Sequence, residues 1–531
     1  MISEIKMPKI LVSDQLGDEG INLLKENGEV DVKTGLSPEE LISIIGDYDA
    51  LVVRSETKVS EQVIEAGSNL QVIGRAGVGV DNIDIEAATR KGISVVNAPT
   101  GNTIAAAEHT IAMMMALARN IPQANESLRK GEWKRSSFTG VEVRNRILGV
   151  IGLGKVGTEV SRRALGLEMN VFGYDPFIPQ DYAESIGIKL TSLEEIFKNA
   201  DFICLHTPLT ESTRGLIGTD QIALMKPNVR ILNVARGELI DEEALCKALD
   251  EERIAGAALD VFSTEPPTNS CLLKNPRIIV TPHLGASTEE AQTQVAIEVA
   301  EQVIAVLEGK SARYTLNAPL VLPEGQAVLG PYIPPAVCAG KIATQLTRGQ
   351  LKRINIRYEG EIANYDTNIL KAACLVGFLD QISQEKVNLV NANLIASQRS
   401  LNITEQKSTS VDQYGSIVTV EVESSSGTTV VSTAHVREQT HIVRINDYWI
   451  DLVATGGYML FTDHQDKPGM IGALGTITGK HDINIAFMEV GRIEPRGRAT
   501  MIVGLDDPMP EEAIAEINNL PNVFSASLIR L

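Results

Sequence analysis

A chain of 531 residues, 44% hydrophobic and 22% charged, is too long for one domain and has the composition of folded globular protein. Its net charge of −20 argues against a general nucleic-acid or anionic-membrane binder, whose affinity needs basic surface, but leaves room for a local arginine pocket. The start of the chain has no basic segment leading into a long apolar core, and no membrane-length apolar run follows, so a cytoplasmic protein is expected.

The first half alternates. "KILVSD" reads as a strand, "DEGINLLKENG" as a helix, and "SPEELISIIGDY" as a helix capped by Ser37 before the buried strand "DALVVRS". "QVIGRAG", "IDIEAATRKG" and "ISVVNAP" continue the pattern, which argues for a parallel sheet covered by helices. A long helix is predicted from about Thr103 to Asn120, with its methionines and His109 as packing residues. A second alternating unit runs from Arg146 to about 285, and a helix capped by Ser287, with Glu290 in a capping box, closes it. The segment 192–210 echoes 37–57, each a capped helix feeding a buried strand. The proline-rich stretch "RYTLNAPLVLPEGQAVLGPYIPP" at 313–335 reads as a linker. Helices and β-branched runs follow to 452, and the segment from Gly457 reads βαββαβ, the split ferredoxin-like order. The five cysteines, Cys204, Cys246, Cys271, Cys338 and Cys374, are widely spaced without a CxxC pair, which reads as a reducing compartment and no structural zinc site.

The sharpest motif is "ILGVIGLGKVG". Gly152, Gly154 and Gly157 form GxGxxG between a strand and a helix, and Asp175 ends the next strand 18 residues beyond Gly157. Small residues there let backbone N–H groups at the helix start, about Lys155 and Val156, approach a pyrophosphate. Asp175 would accept from ribose hydroxyls and repel an extra phosphate, which predicts NAD rather than NADP. Later strands end in Arg236, in Asp260 with Glu265 close behind, and in His283, and strand ends of this kind face the ligand in open α/β sheets. Arg54 and Arg75 follow two strands of the first unit, and the glycine loop at Gly77 and Val78 offers N–H groups to a carboxylate. No metal site is predicted.

These segments, from "GRAGVGVDNID" at 74–84 to "TPHLGAST" at 281–288, resemble the D-2-hydroxyacid dehydrogenase family, in its long form with an intervening domain and an ACT domain. The resemblance implies a Rossmann doubly wound domain (99–289) inserted in a flavodoxin-like α/β substrate domain (1–98 and 290–318). It implies an α+β intervening domain (319–453) and a ferredoxin-like ACT regulatory domain (457–531). His283 becomes the general base, Glu265 its partner, and Arg236 the grip on the substrate carboxylate. Val78, Thr207, Val234, Asp260, Gly285 and Ala286 join the glycine motif and Asp175 around NAD. The implied reaction is oxidation of 3-phospho-D-glycerate in serine synthesis, with Arg54 at the phosphate and Arg135 reaching in from a partner subunit. His464, Asp466 and Asn484 resemble an ACT ligand site for L-serine, and a homodimer or homotetramer is implied. Two alternatives stay open: another D-2-hydroxyacid dehydrogenase acting on glycerate or lactate, or an NADH-sensing binding protein on the same fold.

Overall fold

The computed structural model describes residues 7–267, 271–319, 323–411 and 413–531. The short buried strands of the first half are joined by helical crossovers, and such connections pair strands in parallel. The first sheet runs Glu29–Val32, Lys9–Val12, Ala50–Val53, Val72–Arg75, Ser94–Asn97, the 2-1-3-4-5 order of a flavodoxin-like fold. The second runs Ile278–Val280, Gly256–Leu259, Arg230–Asn233, Phe202–Leu205, Ile147–Ile151, Asn170–Tyr174, Lys189–Leu190, all parallel, with the order reversing beside Ile147–Ile151. That reversal is a topological switch point, and it sets the glycine motif over the carboxyl ends of the strands. The echo between 37–57 and 192–210 is structural: Ser37 caps Pro38–Ile44 before Ala50–Val53, and Ser192 caps Leu193–Asn199 before Phe202–Leu205.

Two long helices join the lobes. Thr103–Arg119 packs on the second sheet, and Glu289–Leu307 on the first. The cap of the latter is Thr288, whose side chain accepts from the Ala291 N–H, and not Ser287 as expected. Ser287 is committed to the preceding turn, its N–H bonded to the Leu284 carbonyl at 2.8 Å. Buried Glu298 ties the two connections together. It accepts from the backbone N–H groups of Thr100 and Gly101, both at 3.1 Å, and from the Thr100 hydroxyl.

The predicted linker is in part helical. Pro323–Leu329 and Ile333–Leu346 are helices, and Pro334 and Pro335 sit in the first turn of the second, where no backbone donor is needed. Ile333–Leu346 crosses Asn368–Leu379 closely at two glycines: a Cβ on Gly340 would stand 2.0 Å from the Cys374 carbonyl, and one on Gly377 1.9 Å from that of Val337. These helices cover a six-stranded sheet, antiparallel except where Ile403–Ser408 joins Leu351–Gly360. The tail folds as the expected βαββαβ, with Tyr458–Gln465 between Arg498–Leu505 and Val523–Arg530, and Ile485–Arg492 at the edge. No described helix is long and apolar enough to cross a membrane.

The cysteine reading needs correction at one place. Cys246, in the helix Glu242–Asp250, and Cys271 are joined by a disulfide with their Cα atoms 6.4 Å apart. Sequence separation hid the pair, because the fold returns the chain beside that helix just after the segment carrying Glu265.

Candidate active site

A cavity of about 490 Å³ opens between the two lobes. From the first lobe it receives Arg54, Arg75 and the loop 77–79; from the second, Arg236, Glu265 and His283. Each of these side chains has a structural reason to be there.

Arg54 follows the strand Ala50–Val53, and buried Asp14 fixes its turn by accepting from the Arg54 N–H at 2.5 Å and the Thr57 N–H at 3.2 Å. Asn82 donates to the carbonyls of Arg54 and Thr57 at 2.8 and 2.7 Å, which joins that turn to the glycine loop. The glycines of the loop answer to the arginines. A Cβ on Gly77 would stand 1.6 Å from Nη1 of Arg75, and one on Gly79 1.8 Å from Nη2 of Arg236, so the end of each guanidinium fills the space a side chain would take. Burial and the nearby charge of Arg236 push the Arg75 guanidinium down to about 10, so it stays protonated at neutral pH. Its Nε is buried without a hydrogen-bond partner among the described residues. Arg236 ion-pairs with Asp81 at 3.2 Å. Its backbone is fixed by buried Asn233, which donates to the Arg236 carbonyl at 2.8 Å.

His283 Nδ1 lies 2.7 Å from Glu265 Oε2. A carboxylate there accepts the Nδ1 proton, which leaves Nε2 as the basic nitrogen toward the cavity. Burial acts to raise the Glu265 carboxyl. The hydrogen bond and charge of His283, with the Phe262 N–H, outweigh it and hold the group below the ordinary carboxylate range. His283 itself has φ of 55°, left-handed backbone that is uncommon outside glycine. Asp260 braces it. The Asp260 carbonyl accepts the His283 N–H at 2.9 Å, and its fully buried carboxylate accepts the N–H groups of Leu284 and Gly285 at 2.7 and 2.8 Å.

The groove beside the glycine motif fits a dinucleotide. Gly152 has φ of 94°, and a Cβ on it would meet the His206 carbonyl at 2.6 Å; one on Gly157 would meet the Gly152 carbonyl at 1.9 Å. Nothing lies within 4 Å of a Cβ on Gly154, at the start of the helix Lys155–Gly166. The space for a phosphate is thus left where the helix points its free N–H groups. The buried Thr207 hydroxyl has no protein partner among the described residues and is free for a ligand. Asp175 accepts the N–H groups of Leu153 and Phe177, both at 2.9 Å, so its carboxylate is held at the end of its strand. Burial holds the neighbouring His206 imidazole neutral, down to about 4.

Some predicted residues lie elsewhere. Arg135 opens the exposed turn Arg135–Phe138 and does not line the cleft of its own chain. In the tail, His464 and Asp466 line a cavity of about 400 Å³ with Arg492 and Arg496, beside the helix start at Gly469. Asn484 does not line it; its amide donates to Asp506 at 2.6 Å. Asp466 is held below the ordinary carboxylate range by the Arg496 N–H and by Arg492, each at 3.1 Å. Sequence reasoning missed Asp14, Asp81 and Asn82. The last two sit inside the quoted glycine loop, where a carboxylate and an amide so near two arginines were a usable signal.

Three regions match family models: D-isomer specific 2-hydroxyacid dehydrogenase, NAD binding domain, over 111–285; D-3-phosphoglycerate dehydrogenase intervening domain over 328–446; and ACT domain over 458–522. The chain is 46% identical over 99% of its length to a D-3-phosphoglycerate dehydrogenase of Synechocystis sp., covering 95% of that protein. It is 47% identical to one of Methanocaldococcus jannaschii, covering 99% of this chain and all of that one. Among solved structures, a D-lactate dehydrogenase from Aquifex aeolicus complexed with NAD and lactic acid superposes with a TM-score of 0.52 at 27% identity, over 57% of this chain and 96% of that one.

Proposed function

The chain belongs to the D-3-phosphoglycerate dehydrogenases, and we propose from that premise how its cleft carries out the NAD-dependent oxidation of 3-phospho-D-glycerate, the entry to serine synthesis. Arg54 takes the phosphate, while Arg75 and the N–H groups of the loop 77–79 take the carboxylate. Arg236 spans the carboxylate and the reacting oxygen, where its fork favours the carbonyl as it forms. His283 Nε2 accepts the hydroxyl proton, and Glu265 accepts from Nδ1 and stabilises the imidazolium that results. Bound NAD supplies the acceptor for the hydride from C2. Gly152, Gly154 and Gly157 with Lys155 and Val156 would hold its pyrophosphate, Asp175 its ribose, and Thr207, Val234, Gly285 and Ala286 would line the rest of the site, with fully buried Asp260 acting through the loop that carries Gly285.

One observation carries this reading: three guanidinium groups and a Glu–His pair converge on one cavity, with Asp81 paired to Arg236 there. A substrate with two anionic ends fits that set, because neither Arg54 nor Arg75 has an ion-pair partner among the described residues. Domain limits are assigned at 1–98 with 290–318, 99–289, 319–453 and 457–531. The tail cavity at His464 and Asp466 is assigned to L-serine, with Asn484 joining it in a homodimer or homotetramer; Arg135 is assigned to the substrate cleft of a partner subunit, and the protein to the cytoplasm.

The test is NADH production from 3-phospho-D-glycerate, D-glycerate and D-lactate, with His283→Ala and Arg54→Met alongside and L-serine added. The phosphorylated acid is expected to dominate, His283→Ala to abolish turnover, and Arg54→Met to erase the preference for phosphate. Turnover only with unphosphorylated acids would replace the substrate. Tight NADH binding without any turnover would replace the enzyme by a sensor.

A further inference from the structure

Sequence reading assigns His109 to packing, and the structure corrects this. The helix Thr103–Arg119 turns Ala106, His109 and Met113 along one face, the spacing that stacks side chains on a single side of a helix. That face lies against the loop presenting the reaction centre. A Cβ on Gly285 would come 4.0 Å from Ala106 Cβ, and the Thr281 hydroxyl lies 3.6 Å from the Met113 sulfur. Between them, His109 Nε2 stands 3.2 Å from both Asp260 Oδ1 and Thr281 Oγ1. The Thr281 hydroxyl donates to the same Oδ1 at 2.6 Å.

Asp260 is a fully buried carboxylate, and a buried carboxylate persists only where donors surround it. The described donors are the Leu284 and Gly285 N–H groups, the Thr281 hydroxyl and His109. Of these only His109 comes from outside the His283 loop, and only it can bring a positive charge. The carboxylate also selects the tautomer, because a lone pair on Nε2 would face it with repulsion.

We propose that His109 is a positioning residue of the dehydrogenase reaction: its Nε2–H anchors Asp260 and so fixes the left-handed backbone from which His283 reaches the substrate hydroxyl. Burial acts to raise the Asp260 carboxyl, and His109, Thr281 and the Leu284 N–H outweigh it, so the carboxylate is ionised throughout the working range. The charged groups that face His283 are then Glu265, in contact, Arg236, which shares its cavity, and Asp260, beneath its loop. The inference rests on His283 as the base.

The experiment compares His109→Gln, His109→Asn and His109→Leu in the full-length enzyme. A glutamine amide nitrogen reaches where Nε2 lies; an asparagine is too short, and leucine has no donor. His109→Leu and His109→Asn are expected to lower kcat by about 10- to 100-fold, the scale on which misplaced reacting groups act. Their KM for the acid is expected to stay within about twofold, with the acid limb of the kcat profile displaced. His109→Gln is expected to keep kcat within about threefold and the native profile. Asparagine and glutamine variants with the same kcat and profile would overturn the proposal, and that comparison stands even where His109→Leu fails to fold. His283→Ala separates the two claims: retained turnover there removes the base itself, whereas loss there with unaffected His109 variants removes only the anchor.

Discussion

At the scale of single residues the cleft is defined as much by missing side chains as by present ones. Gly79→Ala places a methyl 1.8 Å from the Arg236 guanidinium, whose flexible end must move away. The fold is expected to survive, with an unchanged melting temperature. Losing one charge-assisted bond to the substrate should lower kcat/KM by about 10- to 100-fold, matching the 1.5–3 kcal/mol such bonds carry. Glu265 makes a prediction in pH. Its carboxyl is held low in the folded state, so the stabilisation from the pair is present above the ordinary carboxylate range and is lost only as pH falls through the lowered value. Glu265→Gln keeps an acceptor and removes the charge that favours the imidazolium. The acid limb of kcat/KM for oxidation should move to lower pH, because the neighbouring charge that favours the imidazolium is gone. An unmoved limb in stopped-flow NADH assays would show that Glu265 orients the ring without influencing its charge.

At the scale of elements, the strand-turn-helix units were legible because their signals are local. Ser37 and Ser192 announce helices, GxGxxG announces the cofactor turn, and the strand ends announce Arg236, Asp260 and His283. Roles that arise only when distant segments meet were not legible. His109 has an apolar neighbourhood in sequence and a carboxylate beside it in space. Cys246 and Cys271 pair across a returning chain, and Thr288 rather than Ser287 takes the cap, its side chain accepting from the Ala291 N–H. Glu298 belongs to the same class. It sits mid-helix, yet it satisfies Thr100 and Gly101 at the other connection between the lobes. Glu298→Ala strands those donors in a buried place and should destabilise the protein by about 2–3 kcal/mol, read from urea unfolding. A change below about 0.5 kcal/mol would mean that water reaches the junction.

At the scale of the whole molecule, a chain of net charge −20 keeps Arg54, Arg75 and Arg236 together at its centre. Their mutual repulsion, the burial of Arg75 and its unpartnered Nε all weigh against the folded state without ligand. Arg75→Met removes these penalties at similar length, so the ligand-free variant should melt higher than the parent, as replacing an ill-paired buried charge by an apolar group often does. The parent, but not the variant, should gain about 2.7 kcal/mol when 3-phospho-D-glycerate is present at a hundred times its dissociation constant. A variant that melts lower would locate the missing partner of Arg75 within the protein. The arginine cluster thus couples folding to feeding: the enzyme is expected to be least stable when starved of its acid.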